Sequence, residues 1–237
     1  MRINCLVESA RWAESRIVLS PEQSHHLARV VRVAEGQELT IFDGQGQVAI
    51  AVVNQLSKRE VFLTLCERWQ EPKPATEVEL IQALPKLDRW EWVLQKAVEL
   101  GATAIRPVLT QHTESRLSEK KVQRWHQIIQ SAAEQCEARW MPKLHPVQPL
   151  MEVFPLLKSY ECSLIASLYP GAQPLQKVEL RGVKSVSLLI GPEGDFTQDE
   201  VDGAVDAGAQ AVSFGSRILR TETAAIYGLS ILNHGVV

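Results

Sequence analysis

At 237 residues, with 45% hydrophobic side chains and a formal net charge of −3, the chain can bury one large core or two modest ones. The slight acidity excludes nucleic-acid binding by bulk charge, so any RNA contact must come from local basic patches and a shaped site. No apolar run approaches a membrane span or a signal peptide, and neither Cys5, Cys66, Cys136 and Cys162 nor the six histidines fall in a ligand or disulfide spacing; a cytoplasmic protein with reduced thiols and no metal is expected.

Residues 1–70 read as a small β-rich domain. Ile3 to Val7 is an expected strand, and Ser20-Pro21-Glu22 is a helix start: an N-cap, proline at the first position, then an acid. That helix is expected to run to about Val31 with Leu27, Val30 and Val31 on its apolar face. His25, Arg29 and Arg32 follow at i, i+4 and i+7, a basic stripe that reads either as a solvated face or as a rail for phosphates. Glu38 to Phe42, the turn Asp43-Gly44-Gln45-Gly46 and Gln47 to Val53 form a hairpin, and Glu60 to Cys66 adds a strand. Strands in meander order around one helix point to a small barrel, a format that often presents nucleic acid. Residues 71–77, with two prolines and no apolar side chain larger than alanine, are the linker.

From Val78 strands and helices alternate. Val78 to Leu84 and Ile105 to Leu109 are strands; Trp90, Val93, Leu94, Ala97 and Leu100 form a helical stripe that Gly101 ends. Val122 to Gln135 is a helix with Trp125, Ile128, Ile129 and Ala132 inward, and Leu164 to Leu168 is a strand. Ser187 to Ile190 is an apolar run stopping at Gly191-Pro192-Glu193-Gly194-Asp195-Phe196; Thr197 and Glu200 then open a helix as a capping box, and Gly208 closes it. Ala211 to Phe214 is the next strand, followed by Gly215-Ser216-Arg217-Ile218-Leu219-Arg220-Thr221-Glu222 and a last helix, Ala224 to Asn233, for which Thr221 or Thr223 is the N-cap. The fold class is α/β, with a parallel sheet covered on both faces spanning 78–237. Ligands of such sheets bind beyond the carboxyl ends of the strands, where two glycine-bearing loops here carry Glu193, Arg217, Arg220 and Glu222.

Gly-Pro-Glu-Gly at 191–194, followed by Gly-x-Arg-Ile-Leu-Arg-x-Glu-Thr-Ala at 215–224, resembles the RsmE family of the SPOUT superfamily. Lys96-Ala97-Val98-Glu99-Leu100-Gly101 and Ala132-Ala133-Glu134-Gln135-Cys136 are similar to further segments of that family. The resemblance implies a PUA-like RNA-binding barrel at 1–70 and a SPOUT methyltransferase domain at 78–237 whose loops form a trefoil knot. It also implies a homodimer, S-adenosyl-L-methionine as cofactor, and methylation of N3 of a specific uridine in 16S ribosomal RNA within the 30S subunit. For the cofactor it places Leu168, Ile190, Phe214, Ile218 and Leu219 as walls, Gly191, Gly194 and Gly215 as points of close main-chain approach, and Glu193 and Thr223 as polar contacts.

Uracil N3 is nucleophilic only once its proton leaves. Arg217 or Arg220 is therefore placed on the resulting imide anion, and Glu193 or Glu222 as the base. Arg2, His25, Arg29, Arg32 and Lys96 are the candidate RNA contacts. Three positions depart from the family pattern: Asp195 stands where a glycine is expected, Glu137-Ala138 where the family often has Gly-Arg, and Gln111-His112 where it often has Glu-Arg. Arg116 or Arg139 could replace those arginines. Two rival readings stand beside this one. A nucleotide-phosphate enzyme is disfavoured because neither Gly-x-Gly-x-x-Gly nor Gly-x-x-x-x-Gly-Lys occurs. A non-catalytic ribosome-assembly factor that binds rRNA is kept open by the departures.

Overall fold

The computed structural model describes residues 3–13, 16–57, 60–113 and 119–235, which fall into two compact units. Arg2 and Arg116 lie outside the described residues.

The first unit comprises Met1–Lys73 together with Ala133–Met141. Its strands are β1 (Asn4–Leu6), β2 (Arg16–Val18), β3 (Glu38–Phe42), β4 (Gln47–Leu56) and β5 (Val61–Gln70), with helix α1 (Pro21–His25) between β2 and β3. They form one five-stranded sheet in the order β1-β3-β4-β5-β2, mostly antiparallel, with β1 parallel to β3. Alternation along β4 puts Ala49, Ala51 and Val53 inside, where they join Ile17, Leu27, Ile41 and Leu63 in one core.

The N-cap expected at Ser20 is present and extends to a capping box: its hydroxyl accepts from Gln23 N at 3.2 Å, and the Gln23 side chain accepts from Ser20 N. The helix does not continue as an α-helix, however. His26–Val31 is a π-helical turn that stops at Arg32, which sits at φ 60, and both the Arg32 and Val33 amides bond to Leu27 O. The widened turn breaks the expected spacing. Only Leu27 of the apolar face is buried, while Val30 is 65% and Val31 36% exposed. His25, Arg29 and Arg32 are all exposed, but Arg32 has left the helix and no stripe at i, i+4, i+7 remains.

Residues 133–141 belong to this unit although they follow the linker in sequence. Met141 N bonds to Gly44 O at 2.9 Å, Gly46 N to Arg139 O at 3.0 Å and Leu6 N to Glu134 Oε1 at 2.9 Å. Gly46 has φ +90 and any Cβ there would collide with the Trp140 ring, so the turn admits only glycine.

The second unit, Pro74–Ala132 and Pro142–Val237, is a parallel sheet with helices on both faces. In chain order it contains β6 (Glu77–Ala83), α2 (Leu87–Glu99), β7 (Ala104–Leu109), α3 (Glu119–Cys136, whose end passes into the first unit), β8 (Lys143–Leu144), β9 (Gln148–Pro149) and α4 (Phe154–Leu157). Then come β10 (Cys162–Ala166), β11 (Gln173–Pro174), β12 (Ser185–Ile190), α5 (Gln198–Asp206), β13 (Gln210–Ser213) and α6 (Thr221–Gly235). The strand order is β11-β13-β10-β12-β6-β7-β8, with β9 also on β7, and every pairing is parallel.

Successive residues of β12 face opposite sides. Leu189 joins Ile81, Ile165, Val108 and the apolar residues of α4 and α5. Leu188 lies against Gly228 of α6, and α6 packs on α2. Near the amino ends of β6 and β7, Arg106 Nε bonds to Glu79 Oε1 at 2.5 Å, Tyr160 donates to Glu79 Oε2, and the Arg106 guanidinium also reaches Gln148 Oε1 and His145 Nε2, each at 3.2 Å. Burial, then the Arg106 charge, pushes the His145 pKa down; burial and the bond to Glu79 push the Tyr160 hydroxyl up.

Candidate active site

A cavity of about 290 Å³ opens beyond the carboxyl ends of β10, β12 and β13, walled by the loops that follow them. This is where parallel sheets leave room, because the strands stop while the covering helices begin. The loop after β12 is a tight turn: Asp195 N bonds to Pro192 O at 3.0 Å, Asp195 holds φ +60, and Phe196 plugs into the core beneath at 1% exposure. The capping box expected for α5 follows, with Thr197 Oγ1 accepting from Glu200 N and Glu200 accepting from Thr197 N.

The two loops are tied to each other and to β6 through buried groups. Thr221 Oγ1 donates to Gly191 O at 2.6 Å and accepts from Gln82 Nε2 at 2.9 Å. Gln82 is fully buried, and its amide also donates to Ala83 O. Thr221 is therefore the first residue of α6, with its hydroxyl spent on the neighbouring loop; α6 begins three residues before the Ala224 start read from the sequence.

Of the residues singled out in the sequence, Leu168, Ile190, Gly191, Glu193, Phe214, Gly215, Arg217, Ile218, Leu219 and Arg220 all line this cavity. Leu168 and Ile218 stand on it 58% and 80% exposed, apolar surface of the kind that marks a binding site. Gly215 takes φ +107 with nothing within 4 Å of a built Cβ, so its glycine serves the backbone angle rather than a close contact. Gly194 does not line the cavity; a Cβ there would stand 3.0 Å from His112 Cβ. Thr223 lines a second cavity, with Leu175, Ile226 and Tyr227. Two residues beyond Thr221 on a helix is about 200° of rotation, which sends the side chain to the far side.

Glu222 lies outside the lining too. It is 7% exposed, its Oε1 is 4.0 Å from Arg89 Nε, and its Oε2 has no hydrogen-bond partner among the described residues. Glu193 is engaged through one oxygen: its Oε1 accepts from Arg89 Nη1 and from Lys86 N, each at 3.1 Å. Arg89, absent from the sequence reading, thus bridges the two acids and itself lines the cavity. One signal could have exposed it. A guanidinium in the first turn of α2 sits at the positive end of the helix dipole, an unfavourable place unless anions surround it.

Asp195 also lines the cavity, and burial raises its carboxyl pKa above the ordinary aspartate range, against the Phe196 amide and His112, which lower it, and with Glu200, which adds to the rise. Outside this region, Lys96 is held by both oxygens of Glu99 at 2.8 Å, which compromises it as an RNA contact. Arg139 is tied to Asn4 Oδ1 at 2.9 Å and Glu137 at 3.2 Å, within the first unit.

The space around Gly191 makes a first prediction. A Cβ there would stand 2.9 Å from Asp195 Oδ1 and 3.2 Å from Phe196 N, so the tight fit is with its own loop. Gly191→Val is expected to cost about 1–3 kcal/mol of stability by overpacking. Urea unfolding measures this; an unchanged midpoint would show that the loop yields freely.

Known proteins resemble the chain over most of its length. A family model described as an RNA methyltransferase domain matches residues 71–233, and one described as an RNA methyltransferase PUA domain matches 19–66. The chain is 32% identical to ribosomal RNA small subunit methyltransferase E of Synechocystis sp., over 98% of this chain and 78% of that protein. Among solved structures it is similar to ribosomal RNA small subunit methyltransferase E of Neisseria gonorrhoeae bound to S-adenosyl methionine, at 30% identity and TM-score 0.90, covering 99% of this chain and 98% of that one. A methyltransferase from Legionella pneumophila in complex with the same cofactor gives 31% identity and TM-score 0.87, over 98% and 96% of the two chains.

Proposed function

Because the chain belongs to the ribosomal RNA small subunit methyltransferase E family, a family of rRNA methyltransferases with a PUA domain before the catalytic domain, we propose that it methylates N3 of a specific uridine in 16S rRNA, using S-adenosyl-L-methionine. The observation that carries this reading is the cavity at the carboxyl ends of β10, β12 and β13, rimmed by Arg217 and Arg220.

The residues present fit the methyl donor. Exposed Leu168 and Ile218, with Ile190, Phe214 and Leu219, offer an apolar slot for a flat base, and Asp195 lines the same space. When bound there, S-adenosylmethionine supplies a methyl group made electrophilic by its sulfonium. The chain's own groups do the rest. Glu193, on the cavity rim, takes the N3 proton of the uracil; Arg217 and Arg220 hold the charge that then spreads over O2 and O4. Arg89 keeps Glu193 in place, and Glu222 anchors Arg89 from behind.

The trefoil knot belongs to the same proposal, supported by the family's similarity. A homodimer fits too: Ile226, Tyr227 and Ile231 lie half-buried along the second cavity, an apolar strip on the far side of α6. The exposed His25, Arg29 and Arg32 are the RNA contacts we assign to the PUA-like unit. No helix among the described residues is long and apolar enough to cross a membrane.

Labelled methyl transfer tests the reading, with 30S particles and naked 16S rRNA from a strain lacking the modification as parallel substrates. Because N3 methylation blocks the pairing edge of uracil, the product should arrest reverse transcription at one uridine. Tight particle binding without transfer would instead favour an assembly factor.

A further inference from the structure

The cavity is lined by three guanidinium groups, Arg89, Arg217 and Arg220, and by two carboxylates, Glu193 and Asp195. Glu193 is engaged by Arg89 and by the Lys86 amide. Asp195 is different: no lysine or arginine pairs with it among the described residues, and its Oδ1 accepts only from the adjacent Phe196 amide, at 2.8 Å. Its carboxylate lies directly over Gly191, with Oδ1 2.9 Å from where a Cβ on that glycine would be. The backbone under it is strained, since φ +60 costs a residue with a Cβ about 1 kcal/mol that glycine would not incur. From outside the cavity, His112 Nδ1 lies 3.1 Å from Asp195 O and its ring backs onto Gly194. The loop is thus braced in a conformation that keeps an acid in the cavity where a glycine would sit more comfortably.

Resting on the reading that this cavity takes the methyl donor, we propose that Asp195 is a charge-selecting residue of the donor site, favouring the cationic sulfonium over the uncharged thioether left after transfer. A half-buried carboxylate interacts with a positive charge far more strongly than water would allow, while a neutral sulfur gains nothing from it. The consequence is preferential loading of donor and easier release of product. Burial makes the carboxylate costly to ionise, and a cation in the cavity would relieve that cost.

Isothermal titration of the full chain with S-adenosylmethionine and with S-adenosylhomocysteine tests this, comparing wild type with Asp195→Asn and Asp195→Gly. Asp195→Asn is expected to weaken donor binding by about tenfold, the scale of one charge-assisted contact, and product binding by less than about twofold. Asp195→Gly should show the same split even though glycine takes the turn without strain. Equal losses for both ligands, or donor affinity restored in the glycine variant, would reduce Asp195 to a loop-shaping residue and overturn the assignment. A wild-type chain that binds neither ligand would overturn the donor reading itself, a separate result.

Discussion

Replacing Arg220 with alanine is expected to lower kcat/KM for methyl transfer to rRNA by about 10²–10³-fold, the usual cost of removing one preorganised group aimed at developing negative charge. The side chain lines the cavity and is exposed, and the described residues give it no ion pair that its loss would break. Its role in the fold is carried by the backbone, since Ala224 N bonds to Arg220 O at 2.8 Å in the first turn of α6. Alanine keeps that bond, so the unfolding midpoint should hold to within about 0.5 kcal/mol while turnover collapses. Arg220→Lys should recover only part of the activity, because an ammonium keeps the charge but loses the planar fork that can meet a spread anion. Arg217→Ala is the companion measurement. Wild-type turnover in both alanine variants would remove the anion-holding role from this rim.

The second large effect lies away from the cavity. Arg106→Ala is expected to cost about 3–5 kcal/mol of stability, because removing one partner leaves Glu79 as an uncompensated buried charge. Glu79 is 6% and Arg106 8% exposed, and the Tyr160 hydroxyl is the other donor to the Glu79 carboxylate. Replacing both members at once, as Glu79→Leu with Arg106→Met, should be much milder than the single change, since an apolar pair of similar size no longer demands charge balance. Denaturant unfolding of the three variants tests this. A single Arg106→Ala change that costs under about 1 kcal/mol would mean that water already reaches the pair.

The order of strands and helices was legible because burial imposes a period on apolar residues. β6, β7, β10, β12 and β13 each lie within a few residues of an apolar run in the chain, the N-cap read at Ser20 is in place, and the capping box read at Thr197 and Glu200 is formed. The rim arginines and the wall residues were legible for a related reason. Apolar runs that halt at glycine and then carry charge mark the carboxyl ends of strands, and the cavity is there.

Several details resisted the sequence. A π turn at His26–Val31 has no periodicity signal of its own, so Val30 and Val31 were placed inward and stand exposed. Thr223 and Thr221 are the same residue type two positions apart, and only the start of α6 decides that one serves the loop while the other faces the far cavity.

By itself, then, the amino-acid order determined the longer strands and helices of the second unit and which two loops carry reactive charge, because those follow from local propensity and from burial along one segment. The packing of distant segments decided what the charges do. Arg89 meets Glu193 and Glu222 across more than a hundred residues of chain, Gln82 and Thr221 tie the loops across a similar distance, and His112 braces the turn that holds Asp195 in the cavity. Such pairings arise only when separate strands of one sheet bring their ends together, and no spacing along the chain records them.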